Sequence, residues 1–302
     1  MYKVRTLKEN GCKYLELISS DQESRARISL NEGGRLQELK FENVFIIKDN
    51  PLLKYNNTFA SSILFPFANR IKEGQYNFNE KDYILDCNEK DRNNAIHGLV
   101  FNKNFDLINK TTSSTFSKVK LLYKETKPVS GFPFCFDVLL TYRLSDKKLS
   151  LSVSIKNTDK LTFPFTLGWH PYFISENLQK SSLDFNSYSK VMLDQSLITV
   201  DVLENFLEIP VKIKDNLLDD CYVLKNNTVK LETPTYMVLL QIINKEENYL
   251  QLYKPKNSQM IAIEPMTGVS DSFNNKIGLQ QLEPNKEYKT KWNLNFKKNQ
   301  SN

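Results

Sequence analysis

Two histidines make up the whole imidazole complement of this 302-residue chain. Both stand among Gly, Pro and aromatic residues. His97 lies in Asn94-Ala95-Ile96-His97-Gly98-Leu99, directly after a polar stretch, and His170 lies in Leu167-Gly168-Trp169-His170-Pro171-Tyr172-Phe173. A residue before proline is biased to extended geometry, so His170 is expected to project from a strand end or a loop. Glu264 closes the apolar run Met260-Ile261-Ala262-Ile263 and precedes Pro265. A carboxylate beside a buried strand is partly desolvated, which raises its pKa toward the range useful to a general base. Arg70, in Pro66-Phe67-Ala68-Asn69-Arg70-Ile71, can donate to hydroxyl groups. The pair Asp219-Asp220 stands before Cys221-Tyr222 and reads as a charged turn leading into a strand. Singly, each residue has an ordinary explanation: a structural histidine, an edge glutamate with its head in water, a surface arginine. As a set they support two chemistries. One is metal-free acid/base work on a hydroxylated ligand. The other is an iron site of two histidines and a carboxylate in a β-barrel oxygenase. The second expects clustered ligands such as His-x-Asp/Glu, and neither histidine has a carboxylate two residues on.

The elements that must position these groups are strands. Phe134, Phe136, Val138, Leu140, Tyr142 and Leu144 alternate with more polar neighbours, and Leu149, Leu151, Val153 and Ile155 alternate with serines. This period of two marks half-buried antiparallel strands. Ser145-Asp146-Lys147-Lys148 between them has the length and composition of a hairpin turn. Tyr288, Thr290, Trp292, Leu294 and Phe296 repeat the pattern near the C-terminus. Further strands are expected at 14–18, 25–30, 35–41, 44–47, 119–123, 229–232, 237–243, 249–253 and 260–263, with Gly33-Gly34 as a turn. No segment has the length and period of a helix. Many short strands without a low-complexity linker predict an all-β, mainly antiparallel, sandwich-like domain spanning residues 1–302.

Composition narrows the partners. The net charge is +6, but the lysines lie singly along strands, as in Tyr288-Lys289-Thr290-Lys291-Trp292, with no basic stripe interleaved with aromatics. Nucleic-acid binding is therefore not expected. Cys12, Cys87, Cys135 and Cys221 are widely spaced with no C-x-x-C pair, which points to free thiols rather than a disulfide framework or a cysteine metal site. Met1-Tyr2-Lys3-Val4-Arg5 leads into polar sequence, and no apolar run approaches a bilayer span, so a cytoplasmic protein without membrane association is expected.

Several segments, taken in order, resemble the aldose 1-epimerase (galactose mutarotase) family. They are Asn69-Arg70-Ile71 with Gly74 and Tyr76; Ile96-His97-Gly98; His170-Pro171-Tyr172-Phe173; and Asp219-Asp220-Cys221-Tyr222. Glu264-Pro265-Met266-Thr267 with Asp271, Phe273 and Asn274, and Gly278-Leu279-Gln280 leading to Leu282-Glu283-Pro284, complete the series. The resemblance implies a β-supersandwich and a mutarotase that interconverts the α and β anomers of an aldose. It implies Glu264 as the base at the anomeric O1 hydroxyl and His170 as the acid at the ring oxygen. His97, Arg70 and Asn69 would bind the sugar, and Asp219 (or, by a one-residue shift, Asp220) would hold a ring hydroxyl. Proton transfer alone needs no cofactor and no metal. Leu99-Val100-Phe101 and Gly168-Trp169-His170 depart from common members and suggest a divergent bacterial-type branch. A related subgroup acts on hexose 6-phosphates with additional arginines. Here only Arg70 falls in a motif, so an unphosphorylated aldose of glucose or galactose type is expected. A carbohydrate-binding protein on the same fold without catalysis is the other-class alternative.

Overall fold

The computed structural model describes residues 1–50, 54–205, 207–213 and 218–300. Alternating burial organises almost all of it. Among the described residues twenty strands join in one extended network, and the pairings among them are antiparallel. In Phe136–Ser145 the residues strictly alternate between buried and half-buried, as the sequence pattern requires. This strand turns through Asp146-Lys147, with Lys147 in the left-handed region, into Lys148–Asn157. At the N-terminus Lys3–Glu9 and Cys12–Ile18 form a second hairpin through Asn10-Gly11, both at positive φ, as a two-residue hairpin loop demands. The C-terminal strand Glu287–Lys298 is inserted between Lys148–Asn157 and Tyr236–Ile243. It thereby ties the middle of the chain to its last third, and its Trp292 stacks on Trp169 with ring centroids 5.8 Å apart. The main buried cluster draws side chains from Tyr2 to Phe296.

Strands are longer and more numerous than alternation alone indicates. Lys3–Glu9 is mostly exposed, and Ser181–Leu193 buries serines at several inward positions. Both escape a pattern built on apolar side chains. Asp219-Asp220 is not a turn: the two residues open the 14-residue strand Asp219–Glu232. Among the described residues the α-helices are two four-residue pieces, Tyr55–Thr58 and Ser272–Asn275. No helix among the described residues is long and apolar enough to cross a membrane. All four cysteines are free.

Candidate active site

Four neighbouring strands form the floor of a pocket of about 450 Å³. Asp219–Glu232 pairs with Tyr249–Tyr253, which pairs with Met260–Met266, which pairs with Tyr172–Ile174. Register places Asp219 opposite Tyr253 and Gln251 opposite Glu264. Side chains at alternate positions share a face, so Asp219, Gln251, Tyr253 and Glu264 all line the pocket. Asp220 points the other way and pairs with Lys190 at 2.7 Å.

His170 comes from the break between Gly168–Trp169 and Tyr172–Ile174. Its backbone is held in both directions by the loop after the short helix: Ser61 N–H donates to the His170 carbonyl at 2.8 Å, and His170 N–H donates to Ser62 at 3.1 Å. The ring stacks on Tyr172 at 5.1 Å between centroids. That loop is anchored by Arg35, a buried arginine paired with Asp49 at 2.7 Å and lying over the Tyr55 ring.

The wall opposite is the small pairing of Arg70–Lys72 with Asn94–Ile96. Asn69 and His97, next to those strands, both adopt positive φ, and His97 N–H donates to the Asn69 carbonyl at 2.9 Å. Gly98 follows at φ 75°, where a Cβ would stand 2.3 Å from the Phe65 carbonyl oxygen, so only glycine lets the chain turn here. The turn aims the His97 ring at His170, edge to face at 4.9 Å, with Phe59 packed behind it at 4.9 Å. Asp271 and Asn274 act from outside: Asp271 accepts from Lys72 N–H at 3.0 Å and from Asn274 at 2.7 Å, bracing the Arg70 strand.

Polar groups in the pocket are directed. Glu89 holds the Arg70 guanidinium with a two-pronged contact at 2.9 and 2.8 Å and also accepts from Asn94 at 3.0 Å. Arg70 donates to Asn69 at 3.1 Å, Asn69 donates to Gln251 at 3.2 Å, and Gln251 donates to Asp219 at 2.8 Å. This one-way relay runs along one side. On the floor, His170 Nε2 stands 3.3 Å from Glu264 Oε1. Glu264 Oε2, His170 Nδ1 and His97 Nδ1 are buried without hydrogen-bond partners among the described residues. Buried polar atoms without a partner are costly in a fold, so these three mark the floor as polar and chemically exposed to whatever enters the pocket.

Burial also sets the proton affinities. It pushes the Glu264 carboxyl well above its ordinary value, with Asp219 adding to the rise and Arg70 opposing it. It pushes the His170 imidazole down to about 4, Arg70 acting in the same direction. His97 is held well below its usual value by burial, then by His170 and Arg70. Burial raises Asp219 against the pull of Arg70. Glu89 is the contrast: burial works against its charge, yet the hydrogen bonds and charge of Arg70 prevail and hold it low. For the His170–Glu264 pair, a buried setting disfavours net charge, so the pair keeps one proton between its two members.

All six residues singled out from the sequence, Asn69, Arg70, His97, His170, Asp219 and Glu264, line this one pocket. Sequence reasoning missed Glu89, Gln251, Phe59, Tyr172 and Tyr253. Tyr172 adjoins a highlighted histidine, but nothing local distinguishes the others. Among the described residues no three His, Cys, Asp or Glu side chains are arranged to hold a metal ion.

The aldose 1-epimerase family model matches residues 16–295. The chain belongs to the aldose 1-epimerase family. Among its curated relatives is the uncharacterized protein YihR of Escherichia coli strain K12, 24% identical over 274 residues that cover 87% of each chain. Solved folds of the aldose 1-epimerase type superpose along its length. A galactose mutarotase-like protein from Clostridium acetobutylicum matches with a TM-score of 0.89 at 21% identity, covering 99% of each chain. The galactose 1-epimerase from Lactobacillus acidophilus NCFM matches with a TM-score of 0.80 at 15% identity, covering 99% of this chain and all of that one. The all-β sandwich of this aldose 1-epimerase family member is thus the family's fold.

Proposed function

We propose that this protein is a mutarotase that interconverts the α and β anomers of an unphosphorylated aldose of glucose or galactose type. The observation that carries the reading is the buried pair of His170 Nε2 and Glu264 Oε1, 3.3 Å apart on the floor of a polar pocket. Ring opening needs a proton to leave O1 while another reaches the ring oxygen. Both oxygens sit on C1, so a base and an acid within one hydrogen bond of each other suit them. Burial favours the pair's one proton on Glu264. In the reactive form it sits on His170, so that Glu264 as carboxylate takes the O1 proton and His170 as imidazolium protonates the ring oxygen. The open aldehyde rotates about C1–C2 and recloses on its other face while the two groups exchange roles. One proton within the pair supports both directions. Asn69, Arg70, His97 and Asp219 hold the sugar hydroxyls, with the relay from Arg70 to Asp219 supporting their alignment.

Charge around the pocket favours a neutral sugar. Arg70 is taken up by Glu89, and Arg92, at the rim, also reaches Glu89 at 3.3 Å. Lys90 stands beside Asp91 in the pocket wall, whereas Lys72 and Lys103 lie outside it. A hexose 6-phosphate is the second reading, and Lys90 and Arg92 are the groups that would meet its phosphate. The four free cysteines suit a reducing, cytoplasmic setting. The test is polarimetry or NMR of freshly dissolved α-glucose and α-galactose. The protein should speed the approach to anomeric equilibrium above the buffer-only rate, and glucose should outcompete glucose 6-phosphate. No acceleration with either free sugar would refute the reading.

A further inference from the structure

Lysines that stand singly in the sequence converge on one face of the sheet. In the adjoining strands Phe116–Glu125, Phe136–Ser145, Lys148–Asn157 and Glu287–Lys298, the residues pointing away from the core are aligned across the ladder. Lys120, Thr141, Ser152 and Lys291 make one cross-strand row, and Lys118, Arg143, Ser150 and Asn293 make the next. On the other side of the first row comes Leu122, Leu139, Ser154 and Lys289, and beyond it Lys124, Asp137, Lys156 and Glu287. Lys148 and Lys297 add charge at the far end. Asp137 and Glu287 are the acidic residues on these four strands' outward positions. Glu287 is matched by Lys289 at 2.7 Å, and Arg143 lies over the Phe116 ring. This face therefore carries more positive charge than the whole chain's net +6, and the rest of the surface is close to balanced.

The middle of the face is a depression of about 390 Å³. Lys120 borders it on one side and Lys289 and Lys291 on the other, with Thr141 and Ser152 between them and Glu287, paired with Lys289, at one end. Strand spacing puts the Lys120 and Lys291 backbones about 14 Å apart. The depression shares no lining residue with the pocket that holds Glu264 and His170.

We infer that this face is a docking surface for a linear, hydroxylated polyanion: an acidic polysaccharide. Its charged groups meet the two lines of lysine, and its hydroxyls meet Thr141 and Ser152; the Ser154 hydroxyl is already given to Glu287. Ammonium heads on long stems are mobile point charges that can follow carboxylates or sulfates spaced along a chain. A single-stranded nucleic acid would want exposed aromatic rings for its bases, and the Phe116 ring here is covered by Arg143. A flat anionic bilayer would span the depression and meet only the side chains at its rim. The inference does not depend on the mutarotase reading, since it uses none of that pocket's residues.

The test is fluorescence anisotropy of the full chain with labelled polygalacturonate and a labelled sulfated glycan. Binding to at least one is expected at low salt, falling steeply between about 50 and 200 mM salt because releasing counterions gains less free energy as salt rises. Neutral dextran should not bind. The double variant Lys120→Glu/Lys291→Glu should weaken binding about tenfold or more, because like charges now face the ligand, and mutarotation rates should be unchanged. The milder Lys120→Ser/Lys291→Ser should also weaken binding and guards against misfolding of the first, with circular dichroism as a check. The inference is overturned if neither acidic glycan binds at low salt, or if both folded variants bind as tightly as the parent. It is equally overturned if a single-stranded oligonucleotide or phosphatidylserine vesicles bind more tightly than both glycans.

Discussion

Replacing Glu264 by Gln should lower activity while sparing or raising stability, an opposition that a merely structural carboxylate would not produce. The side chain is 2% exposed, Oε1 faces His170 Nε2 at 3.3 Å, and Oε2 has no hydrogen-bond partner. An unsatisfied buried polar atom costs about 1–3 kcal/mol, and more when it is charged. Gln preserves the shape and removes the charge. Burial holds the Glu264 carboxyl above its ordinary value, so the folded chain binds this proton more tightly than the unfolded chain does. Below the unfolded-state pKa of about 4.3 the residue carries no such cost. As pH rises from there to the folded-state value the cost grows, and above that value it is constant. Glu264→Gln should therefore come closest to the parent Tm in acid and equal or exceed it at neutral pH. For activity, a general acid or base contributes about 10²–10⁴-fold, or about 2.7–5.5 kcal/mol of activation free energy. Polarimetric kcat, with the spontaneous rate in buffer subtracted, should fall by that factor. A folded variant with near-parental kcat refutes the role of base. A Tm well below the parent's at neutral pH refutes the argument from buried charge.

The remaining predictions follow from the same geometry. Burial depresses His170 to about 4 and His97 well below its usual value, so stability should be fully present above the unfolded histidine pKa of about 6.5 and fall as pH drops through the window beneath it. Calorimetry should show that slope, and His170→Asn should flatten it. Asp219→Ala should raise KM, whereas Asp220→Ala, which loses a contact to Lys190 on the far face, should leave KM and kcat near the parent values; equal effects would contradict the strand register. Glu89→Gln should loosen Arg70, raising KM more than it lowers kcat and costing about 1.5–3 kcal/mol of stability through the lost charged hydrogen bonds. Gly98→Ala should cost more than the 1–2 kcal/mol of left-handed backbone, on the order of 2 kcal/mol or above, because its Cβ meets the Phe65 carbonyl at 2.3 Å; an unchanged Tm would contradict the close approach.

Much of the fold was legible because alternation is a local property. A strand with one face in the core must place apolar side chains at every second position, and Phe136–Ser145 and Lys148–Asn157 do so. Where inward positions are serines, as in Ser181–Leu193, or where a strand is exposed, as in Lys3–Glu9, the signal vanished although the backbone pairs just as well. The two histidines and Glu264 stood out by their neighbours, and Gly98 by its place after His97.

The all-β character, the family resemblance and six residues of the pocket can be read from the order of the amino acids. The tertiary structure alone decided the rest. It set Glu264 3.3 Å from His170 across 94 positions of chain, and it buried both deeply enough to move their proton affinities in opposite directions. It put Asp219 in the pocket and Asp220 on the other face, since adjacent residues on a strand face opposite ways. It recruited Glu89 and Gln251 from unremarkable surroundings to hold Arg70 and Asp219. It also gathered scattered lysines onto one face through the register of four strands. The reason is common to all of these. Periodicity reports which way a side chain points from its own strand, whereas distance, desolvation and charge density depend on which strands become neighbours, and that is settled by hydrogen-bonded pairing between segments far apart in the chain.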